Sequence, residues 1–191
     1  MSAKILAFAG SARRDSFNKK LVRIAARGAE AAGAEVTLID LADFPMPIFD
    51  GDLEAGEGIP EKARELRGLM LAHNALLIAA PEYNSGITPL LKNAIDWTSR
   101  PDGDVGQLAA YGGKVAALVS ASPGALGGLR GLFHVRYVLS NIRVTVLPDQ
   151  VAVGQSGSSF DAAGELSDDA RRQQVEAVGA ALAKAAAKLH G

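Results

Sequence analysis

Lys4-Ile-Leu-Ala-Phe-Ala-Gly10-Ser-Ala-Arg-Arg-Asp-Ser-Phe-Asn18 is the stretch from which the fold can be read. Lys4 to Phe8 is a short apolar run closing in Ala9, Gly10 and Ser11, the pattern of a strand buried on both faces. From Ser16 to Ala32 apolar residues return at Leu21, Ile24, Ala25 and Ala29 with basic residues between them, which predicts an amphipathic helix. Gly33 stands where a helix-terminating glycine belongs, and Glu35 to Ile39 reads as a second strand. A buried strand, a polar turn, a helix and a strand make a βαβ unit, whose turn lies where open α/β sheets bind ligands.

The same alternation continues to the end of the chain. Asp40 to Ile59 reads as a loop rich in Pro, Gly and acid, and a loop that long is functional or an element of subunit contact more often than filler. Pro60 opens a helix to about Ala72, Ala75 to Ala80 is an apolar strand, and Pro89 opens a helix through Trp97. After a polar loop to Gly113 come a strand from Lys114 to Ser120, a helix from about Leu126 to Leu139, and a strand from Val144 to Leu147 that Val151 to Val153 extends. Ser158 to Leu166 reads as an irregular excursion, and Asp168 to Leu189 as a closing helix. The expectation is one α/β domain spanning residues 1–191, with five parallel strands and helices on both faces. Periodicity leaves two strand orders open.

Composition narrows the chemistry. The chain has 191 residues and no cysteine, which excludes disulfides, iron–sulfur clusters and cysteine nucleophiles. A net charge of -1 leaves no electrostatic footprint for nucleic acid. No apolar run approaches the roughly 20 residues that cross a bilayer, and the apolar N-terminal run is too short for a secretory signal, so the expectation is a cytoplasmic protein.

Three loops at the carboxyl ends of strands carry the candidate site. In the first, Ser11, Ser16 and Asn18 offer neutral donors, Arg13 a forked cation, and the helix start its free N–H groups. Together they suit a phosphate dianion; the plainer reading is Ser16 as a helix cap beside solvated arginines. Neither Gly-x-x-x-x-Gly-Lys-Ser/Thr nor Gly-x-Gly-x-x-Gly occurs in the right context, which weakens ATP hydrolysis and a dinucleotide-binding Rossmann domain. The second loop, Ala80 to Pro89, packs Pro81, Glu82, Tyr83 and Asn84 between a buried strand and a helix, and stiff loops so placed tend to carry function. In the third, Ser122, Gly124, Gly127 and Gly128 allow close approach of backbone to ligand, though glycine-rich turns also arise from packing alone.

At these residues the sequence resembles the NAD(P)H-dependent FMN reductase family, flavodoxin-like proteins that include chromate, quinone and azo-dye reductases. Gly10, Ser11, Arg13, Ser16 and Asn18 meet the pattern Gly-Ser-x-Arg-x-x-Ser-x-Asn. Pro81 to Asn84 meet Pro-Glu-Tyr-Asn, and Leu91 to Trp97 supply the Leu-Lys-Asn-Ala-Ile-Asp-Trp that follows it. The resemblance runs from Lys4 to about Leu147. It implies a three-layer sandwich with strand order 2-1-3-4-5. It further implies that Ser11, Arg13, Ser16 and Asn18 hold the FMN phosphate, that Pro81, Glu82, Tyr83 and Asn84 line the isoalloxazine largely through backbone groups, and that Ser122 and Gly124 approach the ring from the other side. The implied enzyme takes hydride from NAD(P)H and passes electrons to a small acceptor (quinone, chromate, azo compound or free flavin) by a ping-pong mechanism. It is a homodimer or homotetramer with flavin sites near the interface.

Because the cofactor carries that chemistry, no general acid or base is required, and His73, His134 and His190 read as structural. Trp97 reads as packing or subunit contact. The basic stripe Arg14, Lys19, Lys20, Arg23 and Arg27 reads as a solvated helix face with some power to steer phosphates. A flavodoxin-like electron carrier without reductase activity is the main rival, and the weak net charge speaks against it, since carriers dock through strong charge. A non-redox phosphate-binding protein is a second rival.

Overall fold

The computed structural model describes residues 2–190. Five parallel strands form its centre: β1 (Lys4–Ala9), β2 (Glu35–Leu38), β3 (Ala75–Ala79), β6 (Val115–Ala121) and β7 (Thr145–Val153). Two short strands, β4 (Glu82–Tyr83) and β5 (Gly86–Ile87), pair only with each other. The large sheet has the order β2-β1-β3-β6-β7. With the hairpin set aside this is 2-1-3-4-5, so the order implied by the resemblance holds. The switch point lies between β1 and β3, whose register pairs Ile5 with Ala75 and Ala9 with Ala79.

The alternation of side chains along each strand builds the two outer layers. Ile5, Ala7, Leu77, Val115 and Val119 pack against α1 (Phe17–Ala31) and α7 (Asp169–His190). Leu6, Phe8, Leu76, Ile78 and Leu118 pack against α3 (Glu61–Ala72), α4 (Pro89–Thr98) and α5 (Leu129–Asn141). On the first face the helices touch backbone to backbone. A Cβ at Gly28 would fall 2.0 Å from the Glu176 carbonyl oxygen, and one at Gly179 would fall 1.8 Å from that of Ala25.

Three departures from the sequence reading have physical causes. The stretch from Asp40 to Ile59 is not a bare loop: it holds a 3-10 turn, Leu41–Asp43, and a helix, α2 (Gly51–Glu57), capped by the Asp50 carboxylate. Its anchor is α4, where Asn93 Oδ1 accepts from Phe49 N, and Asn93 Nδ2 and Trp97 Nε1 both donate to Pro47 O, all at 2.8 Å. Trp97 is fully buried here against Ile59, Ala63 and Phe49, so it is packing within the chain. The last strand is continuous from Thr145, with a register irregularity opposite Ala116 and Leu118. Pro148 has no N–H for a ladder, and an edge strand with a bulge is where the sheet tolerates it. Finally, the excursion before α7 contains one helical turn, α6 (Ser156–Ser159), and a Phe160–Leu166 bridge.

The connection from Thr98 to Lys114 is fastened by charge. Asp102 receives Arg64 Nε at 2.7 Å and Arg67 Nη2 at 2.5 Å, and Arg67, itself buried, also donates to Arg100 O. His73 ends α3 with Nδ1 2.6 Å from Leu69 O and Nε2 2.7 Å from Thr37 Oγ1. Both ring nitrogens are engaged far from the three loops, which agrees with a structural role.

Candidate functional site

The turn after β1 is shaped by contacts beneath it. A Cβ at Gly10 would meet the Leu91 side chain at 3.0 Å, and Thr88 Oγ1 donates to Gly10 O while accepting from Leu91 N. The chain leaves the sheet there and enters α1 through Ser16. Ser16 occupies the N-cap position and is buried, but its hydroxyl makes no capping bond, and the first turn of α1 holds no acidic side chain. Ser16 is thus the N-cap by position, as in the plainer reading, but its side chain makes no capping bond. A helix start left without its own anion is suited to a bound one.

Arg13 stands at the rim. It donates one bond from Nη2 to Asp15 O and rests its guanidinium 5.2 Å from the centre of the Phe17 ring. Phe17 in turn stacks on Phe160 at 5.7 Å. Among the described residues no carboxylate is paired with Arg13, so most of its donors are open to a ligand.

Asn18 is placed differently from its neighbours. Its Nδ2 donates to Ala121 O at 2.8 Å, and its Oδ1 accepts from Ala121 N at 3.0 Å. The amide thus continues the end of β6 as a strand would, and splices the first loop to the third.

The second loop is a tight hairpin of β4 and β5. Asn84 and Ser85 both have positive φ, 50° and 68°, as the central pair of a type I′ turn does. The Glu82 side chain, only 8% exposed, accepts from Gly131 N through Oε2 and from Arg130 through Oε1. Tyr83 projects outward, 57% exposed. In the third loop, Gly127 and Gly128 take left-handed φ of 64° and 89°, and a Cβ at Gly128 would fall 2.0 Å from Ser120 Oγ.

These loops enclose a cleft of about 160 Å³ lined by Ser11, Arg13, Ser16, Asn18, Pro81, Glu82, Tyr83 and Ser122, with Phe17, Ala121 and Pro123 beside them. The structure therefore gathers most of the residues expected from the sequence. Asn84 at the tip of the hairpin and Gly124 beyond Pro123 do not line the cleft. Phe17, Ala121 and Pro123 were not singled out by the sequence reading. Phe17 stands inside the first motif and was legible as a neighbour; nothing local marks Ala121. Roomier clefts open nearby, about 340 Å³ along Lys19, Arg23, Asp40 and Phe44 and about 410 Å³ along Gln155, Ser158, Ser167 and Arg171. Of these three, the smaller one lies where the three loops meet.

Comparison with known proteins agrees with this geometry. A family model described as NADPH-dependent FMN reductase matches residues 3–158. An NAD(P)H-dependent FMN reductase of Pseudomonas aeruginosa is 34% identical over 174 residues, covering 91% of this chain and 89% of that one. An NAD(P)H:quinone oxidoreductase of Solanum tuberosum is 34% identical over 193 residues, covering 98% of this chain and 95% of that one. Among solved structures, FerB of Paracoccus denitrificans, a flavoenzyme NAD(P)H:(acceptor) oxidoreductase, superposes with a TM-score of 0.80 at 26% identity, covering 97% and 98% of the two chains. The chain belongs to the NADPH-dependent FMN reductase family.

Proposed function

We propose that the protein is an FMN-dependent NAD(P)H oxidoreductase that reduces a small acceptor, with quinones as the foremost class. The observation that carries this reading is the meeting of the Ser11–Asn18 turn, the Pro81–Asn84 hairpin and Ser122 at one cleft beside the switch point of the sheet. FMN, when bound, supplies the two-electron chemistry. The chain supplies the rest. Ser11, Arg13, Ser16 and the first amides of α1 take the phosphate, with Asn18 holding that turn to β6. Pro81, Glu82, Tyr83 and Asn84 present their backbone to the isoalloxazine, and the Ser122–Gly124 turn closes on the other side.

The cleft is about 160 Å³ and Tyr83 beside it is exposed, so the residues around Ser11 and Ser16 would take the phosphate end of the cofactor and the ring would lie toward Tyr83. A second copy of the chain is the natural cover for such a ring, and the proposed assembly is a homodimer or homotetramer. No helix among the described residues is long and apolar enough to cross a membrane; we assign the enzyme to the cytoplasm, where its nicotinamide co-substrate is regenerated. The decisive experiment is the visible spectrum of the purified protein, with and without added FMN, followed by anaerobic NADPH or NADH. Rapid bleaching of a bound flavin is the expected result. A colourless protein that takes up no FMN, or a flavin that stays yellow, would sink the reading.

A further inference from the structure

Glu82 sits in the loop proposed to face the isoalloxazine, yet both of its carboxylate oxygens are already engaged. Oε2 accepts from Gly131 N at 3.0 Å, and Oε1 accepts from Arg130 Nε at 3.0 Å and Nη2 at 2.5 Å. Gly131 is the third residue of α5, so its amide is one of the first-turn donors that the helix itself cannot satisfy. The N-cap of α5 is Gly128, which has no side chain to offer, and the first turn of that helix contains no acid. Glu82, reaching in from another element, is the anion that this helix start lacks.

Two glycines make the approach possible. A Cβ at Gly131 would come within 3.0 Å of Glu82 Cβ and 3.2 Å of its Cα, and Gly128 turns the chain into α5 through a left-handed φ of 89°. The charge balance is as specific as the packing. Arg130 brings one positive charge and the helix start roughly half of one, and Glu82 returns one negative. Burial pushes the Glu82 carboxyl up, but the Gly131 N–H and the Arg130 guanidinium outweigh it and hold it below the ordinary carboxylate range. The group is charged at neutral pH.

We propose that Glu82 is a positioning residue, which locks the Pro81–Asn84 hairpin to the first turn of α5 and offsets the positive charge gathered there, so that the field at the flavin ring is set by the Glu82–Arg130 pair. This rests on the site assignment above. FMN gains negative charge on reduction, so a more positive surround tightens the reduced form relative to the oxidised one.

The test is the midpoint potential of bound FMN at one fixed pH in the wild type, Glu82→Gln, Arg130→Gln and the double variant. Glutamine keeps the size of the side chain, but its amide nitrogen opposes one set of donors and its charge is gone. Glu82→Gln should move the potential positive, with reduced FMN held about tenfold more tightly relative to oxidised FMN. Arg130→Gln should move it negative, and the double variant should return close to the wild type. A hairpin that is only loosened weakens both forms alike and leaves their ratio unchanged, so the potential separates field from packing. If Glu82→Gln retains no flavin, Arg130→Gln decides: its residue is mostly exposed and its loss leaves the Glu82–Gly131 bond in place. A negative shift there supports the inference, and an unchanged potential overturns it. Unchanged potentials in both single variants overturn it as well. A wild-type protein that takes up no FMN defeats the site assignment itself, and this inference with it.

Discussion

Asn18 and Ala121 stand 103 residues apart in sequence and exchange two hydrogen bonds, Nδ2 to the carbonyl oxygen at 2.8 Å and the amide N–H to Oδ1 at 3.0 Å. Both residues are buried. The bonds fix the Ser11–Asn18 turn at the start of α1 to the last residue of β6, from which the Ser122 turn departs. Two of the three loops at the cleft are therefore tied to each other. Asn18→Ala strips both bonds and leaves a buried N–H and C=O unpaired, at about 1–3 kcal/mol for each group. The expected result is a clear fall in unfolding temperature together with weaker FMN binding. Asn18→Asp retains the bond from Ala121 N but sets a carboxylate oxygen against the Ala121 carbonyl, and should be no better than Asn18→Ala. Thermal melts and FMN titration of both variants check this; full FMN affinity in Asn18→Ala would refute the splice.

Arg13 tests the phosphate assignment itself. Its guanidinium has one backbone acceptor and an aromatic neighbour but no carboxylate partner among the described residues, so removing it should cost the fold little. A charge-assisted bond to a phosphate contributes about 1.5–3 kcal/mol, so Arg13→Ala should weaken FMN by about ten- to a hundredfold. Ser16→Ala should act in the same direction. Unchanged flavin retention in both variants would remove the phosphate from this turn.

The two kinds of site information differ in how far the sequence reveals them. Ser11, Arg13, Ser16 and the Pro81–Asn84 run are contiguous motifs beside strands with clear periodicity, and the structure brings them to one cleft. The strand order was open from periodicity, because βαβ units state handedness and not which edge the next strand joins. The hairpin of β4 and β5 read only as a loop, since its turn pair is Asn84-Ser85 with the glycine one place late, at Gly86. Asn18 to Ala121 and Glu82 to Gly131 are side-chain-to-backbone contacts across the fold, and a backbone partner leaves no mark on residue type. Gly28 and Gly179 give half a signal: glycine inside a helix costs about 1 kcal/mol against alanine, which points to close contact without naming the partner.

That contact yields a stability prediction. A Cβ at Gly179 would lie 1.8 Å from the Ala25 carbonyl oxygen, so α1 and α7 must separate to admit it. Overpacking of this kind costs about 1–3 kcal/mol, more than the gain in helix propensity. Gly179→Ala should therefore lower the midpoint of urea unfolding, whereas Gly68→Ala, in α3 with open space around the same position, should not. Equal midpoints for the two variants would contradict the close packing of α1 on α7.

Acid should loosen the Thr98–Lys114 connection by a route that can be isolated. Hydrogen bonds from Arg64 and then Arg67 hold the Asp102 carboxyl at about 2, below its ordinary value of 3.8. A carboxyl with a depressed value in the folded state adds stability above its ordinary value and loses it as pH falls toward the folded one. The contribution should be intact at pH 5 and fade between about pH 4 and pH 2. Asp102→Asn should be less stable than the wild type at pH 7, and the gap should close across that window. A gap that stays constant down to pH 2 would show that the Arg64 and Arg67 contacts are not what Asp102 contributes.

The kinetic pattern separates one shared face at the flavin from two separate substrate sites. Pro81, Glu82 and Tyr83 of the hairpin and Ser122 of the third loop line the same cleft of about 160 Å³. On the proposed assignment, one face of the flavin ring would be covered by these loops and the other would be left open. A nicotinamide must stack on that open face, with reacting atoms roughly 3–3.5 Å apart, and a flat acceptor such as a quinone must stack there too. Two ligands that need the same surface exclude each other, so the oxidised nicotinamide should leave before the acceptor binds. Initial rates against NAD(P)H at several fixed quinone concentrations should then give parallel double-reciprocal lines, the pattern of a ping-pong mechanism. Quinone at high concentration should inhibit in competition with NAD(P)H, since it occupies the face the nicotinamide needs. Lines that intersect would mean that both substrates are bound at once, and the acceptor would then need a site apart from the open face, for which the roomier cleft along Gln155, Ser158 and Arg171 would be the place to look.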